Sequence, residues 1–412
     1  MFSRAVSIVR RPLERFLRIE AASGIVLLVA TGLALGAANS PWAEAYARFW
    51  GTSFGVRFSG VTFERSLAWF VNDGLMVIFF FVVGLEIRRE IDRGELSEVR
   101  RAALPIAAAF GGMAVPACVY LAFAHEPKTQ AGWGAAMATD IAFAVGVLSL
   151  LGKRVPPALR VLLLALAVID DLGAIAVIAL FYSAGIRVWG LGVAFVAIAA
   201  VFLLQRLGVR AKLAYLLPAW AAWAGVYGAG IHPTIAGVVL GVITPVQRAP
   251  GESTPPADGL IDALHPWVAF GVMPVFALAN AGVSLSGFVP SSASWSVTQG
   301  VASGLLLGKP LGIALFTWLA LRLGLARLPL GLGARHVVVL GVVAGIGFTM
   351  SLFIAQLAFE DAALLAAVKL GVIAASTTAG ILALVFGRLL LDERRVEGSA
   401  LDVDEAEAST ER

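Results

Sequence analysis

Leu164–Phe181 reads LALAVIDDLGAIAVIALF, and its only charged residues are two neighbouring aspartates at its middle, Asp170 and Asp171. Everything else in the stretch is apolar or small. A charge at the centre of a membrane helix costs about 2.5–3.5 kcal/mol on insertion scales. Two side by side mean either a soluble core helix with a paired acid site, or a membrane helix whose acids do work. Composition selects the second. The 412 residues are 59% hydrophobic and only 14% charged, whereas a soluble domain carries about 25% charged residues.

The apolar residues come in long blocks separated by short polar or basic loops, without strand-like alternation. A bilayer core needs about 20 apolar residues per helix, and a helix satisfies its own backbone there. We therefore expect an all-α polytopic membrane protein. Twelve transmembrane helices are expected, near 20–39, 66–91, 102–124, 130–151, 157–182, 188–206, 212–228, 231–247, 263–287, 297–323, 336–360 and 363–391. The Pro- and Gly-rich stretch 249–259 is read as a loop.

The basic residues test this count. With twelve helices, only Arg48, Arg57, Arg65, Lys128, Arg187 and Lys369 fall on the side opposite the termini, and Lys309 falls within the membrane. All the other lysines and arginines share the side of the termini. Basic residues mark the cytoplasmic face, so both termini are expected in the cytoplasm. Residues 1–19 form a basic segment with no small-residue cleavage site, so no removed signal peptide is expected. Residues 20–391 form the twelve-helix domain, and 392–412 a polar, disordered tail.

The sequence pI of about 9.4 thus reports membrane topology. The arginines form no aromatic-interleaved patch, so nucleic acid is not an expected partner. The single cysteine, Cys118, excludes disulfides and thiolate metal sites. His125, His232, His265 and His336 are isolated, with no H-x-x-x-H pair to hold a metal. SFGVRFSGVTF (53–63), around Ser59-Gly60, reads as a small outer β-hairpin. A lone hairpin is marginal in water, so it is either an ordered loop or an edge that builds a dimer.

Three further charges interrupt apolar runs: Asp73 in WFVNDGLMVIFFFVVGLE, Asp140 in GAAMATDIAFAVGV and Lys309 in GLLLGKPLGIALF. Four acids and one base together point to an ion-handling interior. Adjacent helical residues point about 100° apart, so Asp170 and Asp171 cannot face one spot. One can meet a cation while the other meets a different partner, and Lys309 is the only intramembrane base available.

Thr139 and Asp140 lie among glycines halfway through the fourth span, and Gly345, Gly347 and Thr349 interrupt the eleventh in GVVAGIGFTMSLF (341–353). Glycine weakens helices, and these two spans cross in opposite senses. Such a pair points to the binding site of an inverted-repeat transporter. The alternative is two continuous helices with small residues for close packing.

The segments ATDIAFAVGVLSLLGKRVPPALRVLLLALAVIDDLGAI, NDGLMVIFFFVVGLEIRRE, HPWVAFGVMPVFALANAGVSL, GKPLGI and GIGFTMSLFIA closely resemble the NhaA family of sodium–proton antiporters. This family is itself a standard example of inverted-repeat transporters. The resemblance covers residues 20–391. It implies fourth and eleventh helices broken and crossing at mid-membrane, and a homodimer built partly on the outer hairpin. It also implies a bacterial inner membrane and electrogenic exchange of internal Na⁺ or Li⁺ for external H⁺, regulating internal pH and sodium.

By matching motif, Asp170 and Asp171 look like the ion- and proton-binding pair that holds the transported Na⁺. Asp140 with Thr139 looks like the charge at the crossing, and Lys309 like the lysine that partners Asp170. The signs suit the physics, since opposed half-helices present about +0.5 charge at N-terminal ends and −0.5 at C-terminal ends. Transport then follows as competition, because a hard cation favouring oxygen ligands binds only when the proton leaves. Asp73 is read as a further funnel carboxylate.

Glu86 and Glu90, one turn apart beside Arg89, resemble a pH-responsive cluster at the funnel mouth, with Glu20 a further member. The family's glutamate before the ninth helix is replaced here by Ile261, followed by Asp262. One titrating contact is therefore expected to be missing unless Asp262 supplies it.

No cofactor and no enzymatic activity are expected. An intramembrane aspartyl protease needs facing carboxylates sharing a proton, and a channel would use charge rings or carbonyl filters. The remaining alternative is a bile-acid-type sodium-coupled symporter of related architecture.

Overall fold

The computed structural model describes residues 22–58, 61–183, 185–248, 254–285 and 291–391. The basic segment 1–19, Glu20, the Ser59-Gly60 turn and the tail 392–412 lie outside the described residues.

Helix dominates, as the apolar blocks require. Among the described residues, seven helices are long and apolar enough to cross a membrane: Leu67–Arg93, Val99–Phe123, Pro157–Phe181, Val188–Arg206, Pro256–Asn280, Ser292–Arg322 and Ala362–Leu390. Three bent pairs raise the number to ten if each is one span. They are Ala22–Ala38 with Ala43–Gly51, Pro127–Ala136 with Ile141–Leu150, and Ala334–Ala344 with Phe348–Ala358. All twelve expected segments contain helix. Two of them, Leu216–Gly228 at 13 residues and Thr234–Val242 at 9, are shorter than a bilayer crossing needs. The chain is a multi-pass membrane protein.

One boundary moves. The helix expected over 263–287 runs Pro256–Asn280. Pro256 takes the first helical position, where its missing N–H is harmless. Asp258 sits in the first turn, where the helix dipole favours an acid. Part of the expected 249–259 loop is therefore helix, and Ile261 and Asp262 lie inside the helix and not before it.

Among the described residues, three long helices contain a π-helical turn: Phe70–Leu75, Val268–Val272 and Gly304–Gly308. Two of these are explained by proline. Pro274 and Pro310 follow two residues after the second and third. A proline inside a helix removes one hydrogen bond and crowds the carbonyl four residues back. That carbonyl belongs to Phe270 and Leu306, inside the widened turns.

The chain divides into two compact units. Of the described residues, those up to Leu28, within Glu98–Asp170 and after Val289 form one, and those within Val29–Ser97 and Asp171–Phe288 form the other. The division falls within the Pro157–Phe181 helix. In the first unit, Val99–Phe123 packs along Ser292–Arg322, which also packs on Ala362–Leu390. In the second, Leu67–Arg93 packs on Thr234–Val242, and Val188–Arg206 on Leu216–Gly228. Leu85, Val246, Ala257 and Ile261 form a buried apolar cluster there.

The hairpin is antiparallel, with β1 (Ser53–Phe58) paired to β2 (Val61–Ser66) from Ser53↔Ser66 to Phe58↔Val61. Its second strand runs three residues beyond the expected end. Arg65 stacks over the Phe63 and Trp69 rings, and its Nη2 donates to Tyr227 Oη at 2.8 Å. The marginal hairpin is thus held by a helix of its own unit.

Candidate functional site

Two non-helical breaks meet in the first unit. Met137–Asp140 separates Pro127–Ala136 from Ile141–Leu150, with a bend of 46°, and Gly345–Gly347 separates Ala334–Ala344 from Phe348–Ala358, with a bend of 47°. Helix ends carry backbone groups without intrahelical partners, and in an apolar interior each of these needs another partner. The breaks supply much of what is missing to each other. Asp140 N–H donates to Ile346 O at 2.7 Å. Thr139 Oγ1 donates to Ala344 O, at the C-terminal end of its half-helix, at 3.0 Å.

Asp140 does more. Its Oδ1 accepts the Phe143 N–H at 3.0 Å, capping its own half-helix. Its Oδ2 accepts both the Thr349 N–H, at 3.0 Å, and the Thr349 hydroxyl. One buried carboxylate thus serves two helix N-termini. The glycines allow close packing, Gly347 against the other break and Gly345 against the Ser292–Arg322 helix. A Cβ added at Gly345 would lie 2.6 Å from Leu305 O, and one at Gly347 would lie 2.8 Å from Ala138 O.

Lys309 is fully buried, at 0% exposure. Its Nζ donates to Asp170 Oδ2 at 2.9 Å and to Met137 O, just past the Pro127–Ala136 helix. A single cation therefore serves both a carboxylate and a helix C-terminal end, where the dipole is negative. Asp170 Oδ1 is buried and has no hydrogen-bond partner among the described residues. Asp171, next along the helix, is 2% exposed. An ionised carboxylate is an acceptor only, so an open oxygen in this setting can hold a proton or a hard cation, but not both.

A model of the family described as Na+/H+ antiporter 1 matches residues 14–386. The chain belongs to this family. Among its relatives, the Na(+)/H(+) antiporter NhaA 2 of Myxococcus xanthus is 61% identical over 440 residues, covering 97% of this chain and 94% of the relative. The Sorangium cellulosum protein of the same name is 51% identical, again covering 97% and 94%. The Na(+)/H(+) antiporter NhaA of an Acidovorax strain is 51% identical, covering 91% of each chain.

Within this Na+/H+ antiporter chain, the other expected site residues fall elsewhere. Asp73 lies on the first π turn, in the second unit, with Oδ1 at 3.3 Å from His232 Nε2. Trp223 Nε1 donates to the Asp73 carbonyl at 3.0 Å, and His232 Nδ1 lies 2.7 Å from Thr234 Oγ1. Glu90 Oε2 accepts the Glu95 N–H at 3.2 Å, closing the end of its own helix. Glu86 and Arg89 lie on the same helix, and Glu20 is outside the described residues.

Ile261 is buried against Leu85, whereas Asp262 is exposed. The acid that reaches the Leu67–Arg93 helix is Asp258, whose Oδ2 lies 3.5 Å from Arg93 Nη1. Arg93 also donates to Val246 O and lies beside Asp92. Sequence reasoning missed His232, Arg93, Asp258 and Ser376, whose Oγ accepts the Phe348 N–H at 3.0 Å. An available signal was that Arg93 sits one turn beyond Arg89, on the same face.

Proposed function

We propose that this chain exchanges internal sodium or lithium for external protons, electrogenically, by alternating access at Asp170 and Asp171. The observation that carries this reading is the buried Asp170–Lys309 pair at 2.9 Å, with the second Asp170 oxygen unpartnered and a second buried acid adjacent. Membership of the Na+/H+ antiporter 1 family supports it. The relatives' names are all antiporter names, and nothing favours the symporter alternative.

In the cycle, a proton and a sodium ion compete for the carboxylates. When Asp170 binds a proton, its pairing with Lys309 weakens; when sodium arrives, the cation and Lys309 share the same acid. Release of two protons for each sodium bound moves net charge, so the inward-negative potential helps to drive protons in. Asp140, Thr139 and Lys309 compensate the helix ends around the exchange site, and Gly345 and Gly347 let the backbones approach.

The finer architecture follows from the same reading. The bent pairs Pro127–Ala136 with Ile141–Leu150 and Ala334–Ala344 with Phe348–Ala358 are the fourth and eleventh of twelve spans, crossing as discontinuous helices, with Leu216–Gly228 and Thr234–Val242 as short spans. The protein lies in a bacterial inner membrane with both termini cytoplasmic, as the arginine distribution suggests. Two copies associate through the outer β-hairpin, whose strand edges are suited to pairing. Glu86, Arg89 and Glu90, with Glu20 and Asp73, set the pH response.

The test is a proteoliposome assay of proton movement on adding Na⁺, Li⁺ or K⁺ across a series of pH values. Sodium-dependent proton movement is expected in the wild type. In Asp171→Asn it should be lost while the folded protein keeps its size and melting temperature, because Asn preserves shape but cannot release a proton. Near-normal exchange in the purified Asn variant would sink the assignment.

A further inference from the structure

The half-helix Phe348–Ala358 begins at Gly347, which has no side chain with which to cap it. Its first donors are satisfied from outside. Thr349 N–H goes to Asp140, and Phe348 N–H goes to the hydroxyl of Ser376 at 3.0 Å. Ser376 lies midway along Ala362–Leu390, and both it and Phe348 are buried. A serine or threonine inside a helix commonly turns its hydroxyl back to the carbonyl four residues earlier, as Thr378 does to Ala374 at 2.8 Å. Ser376 instead offers its oxygen across to another helix, as an acceptor for a backbone group that the glycine break leaves open.

We propose that Ser376 is a positioning residue for ion exchange. It holds the N-terminal end of Phe348–Ala358 against Asp140, keeping the positive end of that helix at the carboxylate. From Asp140 the connection is short and physical. The same four-residue break carries Met137, whose carbonyl accepts from Lys309, and Lys309 holds Asp170. A shift of the Phe348 end therefore moves Asp140, the Met137 carbonyl and the lysine that competes with the transported cation for Asp170. Ser376 touches no ion; it acts through this chain.

The inference rests on Asp170 and Asp171 being the exchange site, so Asp171→Asn is measured alongside. In proteoliposomes at one pH, Ser376→Ala should raise the KM for Na⁺ by about three- to tenfold, the scale of one buried hydrogen bond lost, with a smaller change in maximal rate. Ser376→Thr keeps the hydroxyl and should return KM to within about twofold of wild type. A merely structural serine would lower the melting temperature and leave KM unchanged. A wild-type KM in Ser376→Ala, with Asp171→Asn inactive, overturns the Ser376 inference alone. Exchange surviving in Asp171→Asn overturns the site reading and this inference with it. If Ser376→Ala gives no folded protein, Ser376→Cys decides, because a thiol is a weak acceptor. Its KM should lie above that of Ser376→Thr, and superimposable curves for Cys, Thr and wild type overturn the proposal.

Discussion

The two breaks that meet in the first unit solve one problem in different ways. At Met137–Asp140 the chain brings its own acid, which caps the helix that follows, and Lys309 covers the carbonyl at the other side. At Gly345–Gly347 the chain brings no polar side chain of its own. That break draws on Asp140, Thr139 and Ser376 for its open backbone groups. Small residues permit the close approach, and the partners come from elsewhere. A broken helix can therefore be stable in an apolar interior without local capping, provided that the lenders stay in place.

This contrast predicts a ranking of variants. Asp140→Ala should have the largest effect, because it strips acceptors from Phe143, Thr349 N–H and the Thr349 hydroxyl at once. Each buried donor left open costs about 1–3 kcal/mol, and exchange should be lost with a large fall in melting temperature. An Asp140→Ala protein as stable as wild type would mean that the second break does not depend on the first.

Next comes Lys309→Ala. Removing one partner of a buried ion pair costs about 3–5 kcal/mol, somewhat relieved here because Asp170 can take up a proton. Lys309→Arg and Lys309→His should retain more activity and more stability than the alanine variant. Equal behaviour of all three in melting and proton-flux assays would remove the case for charge compensation.

Gly347→Ala and Gly345→Ala should follow, at about 1–3 kcal/mol, the range of overpacked sites, because the new methyl groups meet Ala138 O and Leu305 O. A wild-type melting temperature in both variants would show that the approach is looser than the distances suggest. Smallest is Asp258→Asn. Its pair with Arg93 is partly exposed, with side chains 30% and 46% accessible, so at most about 1 kcal/mol is at stake. Its use is as a control away from the two breaks. It should leave the KM for Na⁺ unchanged at high pH, and a change as large as that of Lys309→Ala would make the Arg93–Asp258 contact part of the exchange machinery.

The first break was legible in the sequence and the second only in part, for a physical reason. Asp140, Asp170, Asp171 and Lys309 stand out because a charge within an apolar run is costly and needs a cause. Glycines announce where a helix is weak, and so Gly345 and Gly347 were readable as a break. They do not announce who will satisfy it. Ser376 was invisible because a serine in a helix can satisfy itself locally and costs little.

His232 looked isolated because its partner Asp73 is distant in sequence. The start of Pro256–Asn280 was misjudged because Pro, Asp and Gly look like loop residues, whereas proline and an acid also open helices. The count of twelve rests on apolar composition, which at Leu216–Gly228 and Thr234–Val242 extends beyond the helix itself.

The π turn at Gly304–Gly308 has a consequence for how this helix tolerates insertions and deletions. A π turn accommodates one more residue than an α turn does. Deleting a single residue there would let the helix relax into regular geometry, at no cost in apolar character. Because the turn already absorbs its extra residue, Lys309 to Arg322 would keep about the same facing relative to Ser292–Ser303, whereas adding one further residue would rotate them by about 100°. With that addition the ammonium would swing off Asp170 and the Met137 carbonyl while its amino-acid identity stayed intact. The placement of the charge is thus encoded in part as chain length: GLLLG acts as a spacer that tolerates one residue fewer but not one more.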